Sequence, residues 1–174
     1  MKRIIVIGNC GSGKSTFAKK LHKILEIELI HLDNLFWKPN WIETPRPEWI
    51  EIVQKTVKQE SWIIDGNYNS TLIIRAERAD TIIFFDFSRE RCLLNALKRT
   101  TKGKLLKTKR DDIMRDCNEK YDLSFYKWIW NYNKNVRPEY LKYLEKLRED
   151  KKVFVFESYK ETDEFLEKLE KEKL

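Results

Sequence analysis

Residues 8–15, GNCGSGKS, lie between a short apolar run and an amphipathic stretch, and they constrain the fold more than any other part of the sequence. The run Arg3–Ile7 is rich in isoleucine and valine, which is typical of a strand buried on both faces. From Gly13 to Leu25 the apolar residues recur at helical spacing. The segment matches G-x-x-x-x-G-K-[ST] at every fixed position, and a strand before it with a helix after it is the context of a phosphate-binding loop.

Each residue type in this loop has a physical role toward a nucleoside triphosphate. The glycines let successive backbone N–H groups point into one cavity, and the start of the helix adds partial positive charge at the same place. Lys14 can reach the β- and γ-phosphates, and the Ser15 hydroxyl can bind Mg²⁺. Cys10 is interpreted as a small filler residue, not as a nucleophile. The residues predicted to bind ATP are Gly8, Cys10, Gly11, Ser12, Gly13, Lys14, Ser15 and Thr16.

Short apolar runs and amphipathic stretches alternate along the rest of the chain, which is typical of an α/β protein with a mostly parallel sheet. Further strands are predicted at Glu28–His31, Ser61–Asp65, Thr81–Asp86 and Lys152–Phe156. Helices are predicted over residues 48–59, 69–77, 88–100 and 125–147, the last broken by Pro138, and after Ser158, which has capping-box spacing to Glu161. Three prolines between Leu32 and Pro47 indicate a loop there.

The length and composition suggest one domain, residues 1–174, since a chain of this size can bury roughly 70% of its unfolded surface. No apolar run approaches the ~18 residues of a membrane span, and the N-terminal run is too short for a secretory signal. The three cysteines include no Cys-x-x-Cys pair, so they indicate neither a disulfide framework nor a zinc site. We therefore expect a cytoplasmic protein without a membrane partner.

Three aspartates follow predicted strands, at the edge where open α/β sheets bind ligands. Asp65 is the preferred candidate for organising Mg²⁺ through water, because the glycine after it lets a substrate approach the strand end. Asp86 is the alternative metal carboxylate, with capping of the next helix as its favoured role. Asp33 is predicted to orient the acceptor hydroxyl or phosphate and to act as a base, with an ordinary turn aspartate as the alternative. The predicted metal residues are thus Ser15 and Asp65.

The chain carries a formal net charge of +7, and seven of the thirteen residues from Lys98 to Arg110 are basic while none is acidic. Residues 101–119 are interpreted as a lid over the phosphates, because phosphoryl transfer depends on charge stabilisation in a site closed to water. Arg99 and Arg110 are predicted to contact the transferred group, since guanidinium binds phosphate bidentately. A solvated lysine-rich loop and a nucleic-acid-binding surface are the alternatives.

Two of the six tryptophans are predicted at the ligand edge of the sheet, and most of the others in the core. Trp37 and Trp41 lie in the predicted loop, where they would form a wall of the acceptor site or stack on nucleic-acid bases. Trp62 lies in a predicted strand and Trp128 on the apolar stripe of a predicted helix, so both are expected in the core.

Several motifs resemble those of known kinases. The loop at residues 8–15, Asp65-Gly66 after the third strand and the basic insert are similar to the adenylate-kinase-like small-molecule kinases. HLDNLFW at 31–37 and WIIDGNY at 62–68 resemble the bacterial DNA topology modulation (FlaR-like) proteins, and this resemblance covers essentially the whole chain. It implies a three-layer P-loop NTPase fold with a five-stranded parallel sheet in the order 2-3-1-4-5, an ATP site, an acceptor site and a basic lid.

Two positions depart from the adenylate kinase pattern. In that family a Pro-Arg pair after the Asp-Gly binds the acceptor phosphate, whereas this chain has Asn67-Tyr68-Asn69 and its next arginine is Arg75. Trp128 stands where the family carries a catalytic arginine, and Arg137 is the nearest substitute. These departures argue against an ordinary nucleoside monophosphate as acceptor, while phosphoryl transfer from ATP is little affected.

The sequence therefore predicts an ATP-dependent kinase of a small hydroxyl- or phosphate-bearing molecule. The predicted catalytic residues are Lys14, Asp33, Asp65, Arg99, Arg110 and Arg137. A small GTPase is excluded because guanine recognition needs Asn-Lys-x-Asp, and the sequence NKNV at 133–136 fails at the last position. The alternatives are a nucleotide-dependent DNA-binding protein that affects DNA topology and a polynucleotide 5′-kinase.

Overall fold

A computed structural model describes residues 1–106, 112, 117 and 120–173. Its main sheet has five parallel strands: β1 (Arg3–Gly8), β2 (Leu29–His31), β5 (Trp62–Asp65), β6 (Thr81–Phe85) and β7 (Lys152–Phe156). The two remaining strands, β3 (Trp37–Lys38) and β4 (Ile42–Glu43), form a separate antiparallel hairpin. The main sheet runs in the order β2-β5-β1-β6-β7, which is the predicted 2-3-1-4-5 once the hairpin strands are left out.

Eight helices surround the sheet in the described part of the chain. They are α1 (Lys14–Leu25), α2 (Leu32–Phe36), α3 (Arg46–Thr56), α4 (Leu72–Arg78), α5 (Arg89–Leu106), α6 (Leu123–Asn135), α7 (Arg137–Leu147) and α8 (Tyr159–Lys173). Helices α1, α5, α6 and α8 pack on one face, and α3, α4 and α7 pack on the other. The result is the three-layer α/β fold that the sequence predicts.

The alternation of side chains along β1 builds both cores. Ile4 and Val6 point to one face and Ile5 and Ile7 to the other, because successive residues of a strand face opposite sides. All four are fully buried. This explains why the strand is apolar at every position, and it places the loop after β1 in the middle of the carboxyl edge of the sheet.

The prediction of a loop from Leu32 to Pro47 is wrong, since the segment contains α2 and the β3–β4 hairpin. Leu32 is fully buried at the start of α2, and the backbone N–H of Thr44 donates to the carbonyl of Phe36 at 2.9 Å. Pro39 begins the 3-10 turn that joins the two strands, a position that needs no backbone donor. The prolines therefore mark turn positions between short elements.

The predicted end of a helix at Thr100 is also wrong, because α5 continues through Gly103 to Leu106. A glycine within a helix costs only about 1 kcal/mol, which packing can offset, and Thr100 is buried. The first six residues of the predicted lid are thus helical. Most of the remaining lid, including Arg110, lies outside the described residues.

Two helix boundaries confirm their sequence signals. The break predicted at Pro138 falls at Val136, and Pro138 occupies the first turn of α7. At the start of α8 the backbone N–H of Glu161 donates to Ser158 Oγ, while the Glu161 carboxylate accepts from the N–H of Glu157 at 2.9 Å. No helix in the described ranges is long and apolar enough to span a bilayer.

Candidate active site

The loop between β1 and α1 has the backbone conformation of an anion-binding nest. Gly8 and Gly11 have φ values of 142° and 82°, a region that side chains disfavour. A Cβ atom on Gly8 would lie 2.5 Å from the Phe85 carbonyl oxygen, and one on Gly11 would lie 2.2 Å from the Cys92 carbonyl oxygen. The two glycines are therefore required both for the curl of the loop and for its contact with neighbouring backbone.

Side-chain amides hold this loop from three directions. Asn67, after β5, accepts from the Gly8 N–H at 3.0 Å. Asn9 donates to the Ile129 carbonyl on α6 at 3.0 Å, and Asn95 on α5 donates to the Gly11 carbonyl at 2.9 Å. The loop is thus fixed to the sheet edge and to both helices that flank residues 107–122.

Lys14 lies at the start of α1 with its ammonium group inside the loop. Its Nζ donates to the Asn9 carbonyl at 2.9 Å, and only 8% of the residue is exposed. One carbonyl accepts from only one of the three donors of an ammonium group, and phosphate oxygens bind such donors with charge assistance, so Lys14 is a strong candidate to bind a polyphosphate.

The loop opens into a cavity of about 1170 Å³. Pockets for a single ligand usually measure about 300–1000 Å³, so this one has room for a nucleotide and a second small molecule. The predicted site residues that line it are Cys10, Gly11, Gly13, Lys14, Ser15, Thr16, Asp33, Asp65 and Arg99. Gly8, Ser12 and Arg137 are not among the lining residues, and Arg110 lies outside the described part of the chain.

Asp65 ends β5 and is held by a histidine at the end of the neighbouring strand. Register pairs His31 with Asp65, and His31 Nδ1 lies 2.9 Å from Asp65 Oδ2. Both side chains are nearly buried, with 9% and 6% exposed. Asp65 Oδ1 is buried without a hydrogen-bond partner although the residue lines the cavity. One carboxylate oxygen of this cavity-lining residue is therefore left without a protein hydrogen bond.

Asp33 lies on α2, which directly follows β2, and it lines the same cavity. The Tyr68 hydroxyl donates to Asp33 Oδ1 at 2.6 Å. Burial, together with the Asp33 charge, raises the pKa of Tyr68 above its ordinary value, so the phenol remains a hydrogen-bond donor. The Tyr68 ring packs against Phe36 and Trp49 at centroid distances of 4.7 and 5.0 Å, which fixes the direction of its hydroxyl.

Asp86 does not cap the next helix, contrary to its favoured role in the sequence. Ser88 does so, because its Oγ accepts from the Arg91 N–H. Asp86 instead accepts two hydrogen bonds from Arg137, at 2.6 Å from Nε and 2.7 Å from Nη2. The bidentate pair joins the end of β6 to the start of α7, and its hydrogen bonds raise the pKa of Arg137.

Arg75 on α4 is fully buried and organises the loop after β5. Its guanidinium donates to the carbonyls of Gly66 at 2.9 Å, Tyr68 at 3.0 Å and Asn67. Burial lowers the pKa of this guanidinium to about 10. Arg75 therefore holds the backbone that presents Asn67 and Tyr68 to the cavity, and it is not available to a ligand.

We expect Arg75→Met to lower the free energy of unfolding by about 3 kcal/mol, because three carbonyls lose their donor in a buried site. Arg78→Met, on the exposed side of the same helix, is the matched control and should change it by less than about 0.5 kcal/mol. Urea unfolding of both variants measures the difference. If Arg75→Met lowered the free energy of unfolding no more than Arg78→Met does, the three hydrogen bonds would contribute nothing measurable to stability.

The aromatic residues of the cavity differ in part from the prediction. Trp62 is buried in β5 as expected. Trp128 is expected in the core, but it is 40% exposed and lines the cavity. Its ring packs on Tyr132, one turn later and buried, so the apolar stripe of α6 extends beyond the core to the cavity. Trp37 and Trp41 also line the cavity, and their ring centroids are 5.4 Å apart. Both residues therefore border the cavity, and their role as a wall of the acceptor site stays a prediction.

Four side chains that hydrogen-bond to the loop or to the two aspartates of the cavity are absent from the predicted site: His31, Asn67, Tyr68 and Asn95. The first three lie within three residues of a predicted aspartate, in HLD at 31–33 and DGNY at 65–68. Polar residues this close to Asp33 and Asp65 are a sequence signal for further site residues. Asn95 lies mid-helix and gives no such signal. No cluster of three metal-ligating side chains occurs among the described residues.

Comparison with known proteins supports a nucleotide-binding fold. The model of the PduV-EutP family, described as ethanolamine utilisation and propanediol utilisation, matches residues 1–94. A gluconokinase from Sinorhizobium meliloti 1021 superimposes over 99% of this chain and 91% of its own, with a TM-score of 0.51 and 14% identity. A kinase candidate from Chloroflexus aurantiacus j-10-fl superimposes over 98% of this chain and 97% of its own, with a TM-score of 0.53 and 16% identity. No curated protein sequence matches the chain.

Proposed function

The chain belongs to the PduV-EutP family of P-loop proteins and has the fold of solved kinases, and from this premise we propose that it is an ATP-dependent phosphotransferase acting on a small alcohol. The family model covers the nucleotide loop and the strand-end aspartates but stops at residue 94, before α6 and α7. The choice of acceptor therefore has to be argued from the cavity.

One observation carries the proposal: the nucleotide loop and two strand-end carboxylates line a single cavity. Lys14 and Ser15 face it from α1, while Asp33 and Asp65 face it from the ends of β2 and β5. A protein that only binds a nucleotide needs the first pair. A carboxylate beside the phosphates is what transfer to a hydroxyl group requires, because the hydroxyl loses its proton as it attacks.

The residues present fit Mg²⁺ bound with the nucleotide. Asp65 Oδ1 is a buried carboxylate oxygen without a protein partner, and hard oxygen donors are the ligands that Mg²⁺ selects. Ser15 and Asp65 would hold the ion, Asp65 through water. The bound ion would supply charge neutralisation at the β- and γ-phosphates. His31 occupies Asp65 Oδ2 and leaves Oδ1 as the carboxylate oxygen without a hydrogen bond.

In the proposed reaction the acceptor oxygen forms a bond to the γ-phosphorus while the bond from that phosphorus to the β–γ bridging oxygen breaks. ADP leaves with the electron pair, and the hydroxyl proton passes to the Asp33 carboxylate. Tyr68 fixes that carboxylate through its hydrogen bond to Oδ1. Lys14 offsets the negative charge that develops on the bridging oxygen, and Arg99 lies in the same cavity wall.

Mg–ATP should raise the melting temperature of the wild-type protein, since a ligand at 100 times its Kd stabilises the folded state by ~2.7 kcal/mol. Lys14→Ala should remove most of the shift. Lys20→Ala changes an exposed lysine of the same helix that pairs with Asp163, and it should keep the full shift. Differential scanning fluorimetry with and without Mg–ATP measures this. No shift in the wild type at millimolar Mg–ATP would refute nucleotide binding.

DNA binding and polynucleotide 5′-kinase activity stay predictions of the basic segment Lys98–Arg110. The described part of that segment, up to Leu106, is helical and contributes Arg99 to the cavity. This placement supports a role toward the nucleotide ahead of one toward a duplex.

A further inference from the structure

Charge is divided between the two halves of the cavity. The segment from His31 to Asn69 contributes Asp33, Glu43 and Asp65 to the lining and neither lysine nor arginine, and every residue of it is described. The cations Lys14 and Lys19 come from α1 and Arg99 from α5, and Lys120 completes the described cationic lining. Outside this segment Asp112 and Asp122 also line the cavity, so four cations there exceed two carboxylates. The half proposed to face the acceptor is therefore the more acidic one, and Asp33 and Glu43 are its carboxylates apart from Asp65, which is proposed to hold the ion.

Two basic residues near the acceptor half, Arg75 and Lys38, are engaged elsewhere. Arg75 donates to three backbone carbonyls inside the protein. Lys38 on the hairpin forms an ion pair with Glu48 at 2.9 Å, and both side chains are about half exposed. A phosphate or carboxylate on the acceptor would meet carboxylates without a compensating cation from this segment, which disfavours an anionic acceptor.

The same half carries an aromatic wall: Trp37, Trp41 and Tyr68 line the cavity, and Phe36, which does not line it, connects Trp37 to Tyr68. Trp41 contacts Trp37 at a centroid distance of 5.4 Å, Trp37 contacts Phe36 at 4.9 Å, and Phe36 contacts Tyr68 at 4.7 Å. The Tyr68 hydroxyl then reaches Asp33. Indole faces bind flat or apolar surfaces and attract cations. The wall can therefore bind a ring or an ammonium group of an acceptor whose hydroxyl points to the proposed base.

We propose that the phosphoryl acceptor is an alcohol without negative charge, neutral or cationic, whose apolar or ring face packs on Trp37 and Trp41 while its hydroxyl points to Asp33. The proposal rests on the phosphotransferase function argued above. The group transfer is the one already balanced: the acceptor O–P bond forms, ADP leaves and Asp33 takes the proton. Glu43, which pairs with Trp37 across the hairpin and lines the cavity, selects against anionic acceptors and favours cationic ones.

Matched acceptors test the charge requirement directly. ADP release with Mg–ATP is measured for adenosine against AMP, glucose against gluconate, and for choline, at equal concentrations. We expect at least one uncharged or cationic compound to accelerate ADP release about tenfold over its anionic counterpart or over ATP alone. Faster release with AMP and gluconate, or no acceleration by adenosine, glucose or choline, would overturn the proposal. A retained Mg–ATP melting shift would then locate the failure in the acceptor class and leave nucleotide binding intact.

Charge reversal at the wall tests the role of Glu43. Glu43→Lys should lower KM for the anionic member of a pair and raise KM for choline, each several-fold, with kcat little changed. Glu51→Lys reverses an exposed charge on α3 that does not line the cavity, and it should leave all KM values unchanged. Trp41→Ala should raise KM for the accepted compound. Equal KM values in Glu43→Lys and wild type for every acceptor would show that this half of the cavity does not discriminate between acceptors by charge.

Discussion

Asp33→Asn should reduce turnover by about 10²–10⁴-fold, because the substitution removes the group proposed to take the acceptor proton. The amide keeps the size of the side chain and can still accept from Tyr68, so stability should change little. Mg–ATP binding should be unaffected, since Asp33 lies on the acceptor half of the cavity. Steady-state ADP release with an accepted alcohol measures the loss.

Two variants control for this interpretation. Tyr68→Phe leaves the carboxylate but removes the hydrogen bond that fixes it, so turnover should fall by less than in Asp33→Asn. Asp163→Asn, at an exposed ion pair between α8 and α1, should have no effect. Equal turnover in Asp33→Asn and wild type would exclude Asp33 as the base.

Asp65→Asn should lower turnover by about 10–100-fold, the usual effect of losing a group that holds a metal through water. Asp86→Asn is the informative comparison, because Asp86 also ends a strand but is bound to Arg137 by two hydrogen bonds. It should destabilise the protein while turnover of the folded enzyme changes much less. The same assay at several Mg²⁺ concentrations separates the two, since only Asp65→Asn should raise the Mg²⁺ requirement. The reverse ranking would assign the metal carboxylate to β6.

The sheet and the nucleotide loop could be predicted because their signals are local. The apolar content of Arg3–Ile7 reflects burial on both faces, and the glycines of residues 8–15 reflect a backbone that other residues cannot adopt. Strand order followed from a resemblance, and the structure confirms it. The strands and the loop depend on each segment alone, and the strand order was inferred from motifs that resemble a known family over the whole chain.

The errors concern interactions between distant segments. The partner of Asp86 is Arg137, 51 residues later, so the sequence around Asp86 could not reveal the ion pair. Arg75 can be buried because three carbonyls of the loop between β5 and α4 accept from its guanidinium. The path of that loop depends on how β5 and α4 pack, which the residues around Arg75 do not reveal. The α2 and hairpin segment was missed because its elements have five residues or fewer, too short for a periodic pattern.

The central claim is that the chain transfers the γ-phosphoryl group of Mg–ATP to an alcohol bound in the same cavity. Phosphorus NMR of Mg–ATP with adenosine, glucose, choline, AMP and gluconate, each tested separately, follows the substrate and every phosphorus product together. The account predicts ADP and a new phosphomonoester resonance with at least one acceptor in the wild type, and neither in Lys14→Ala. The account would be contradicted if inorganic phosphate were the only phosphorus product besides ADP and formed at the same rate with and without every acceptor.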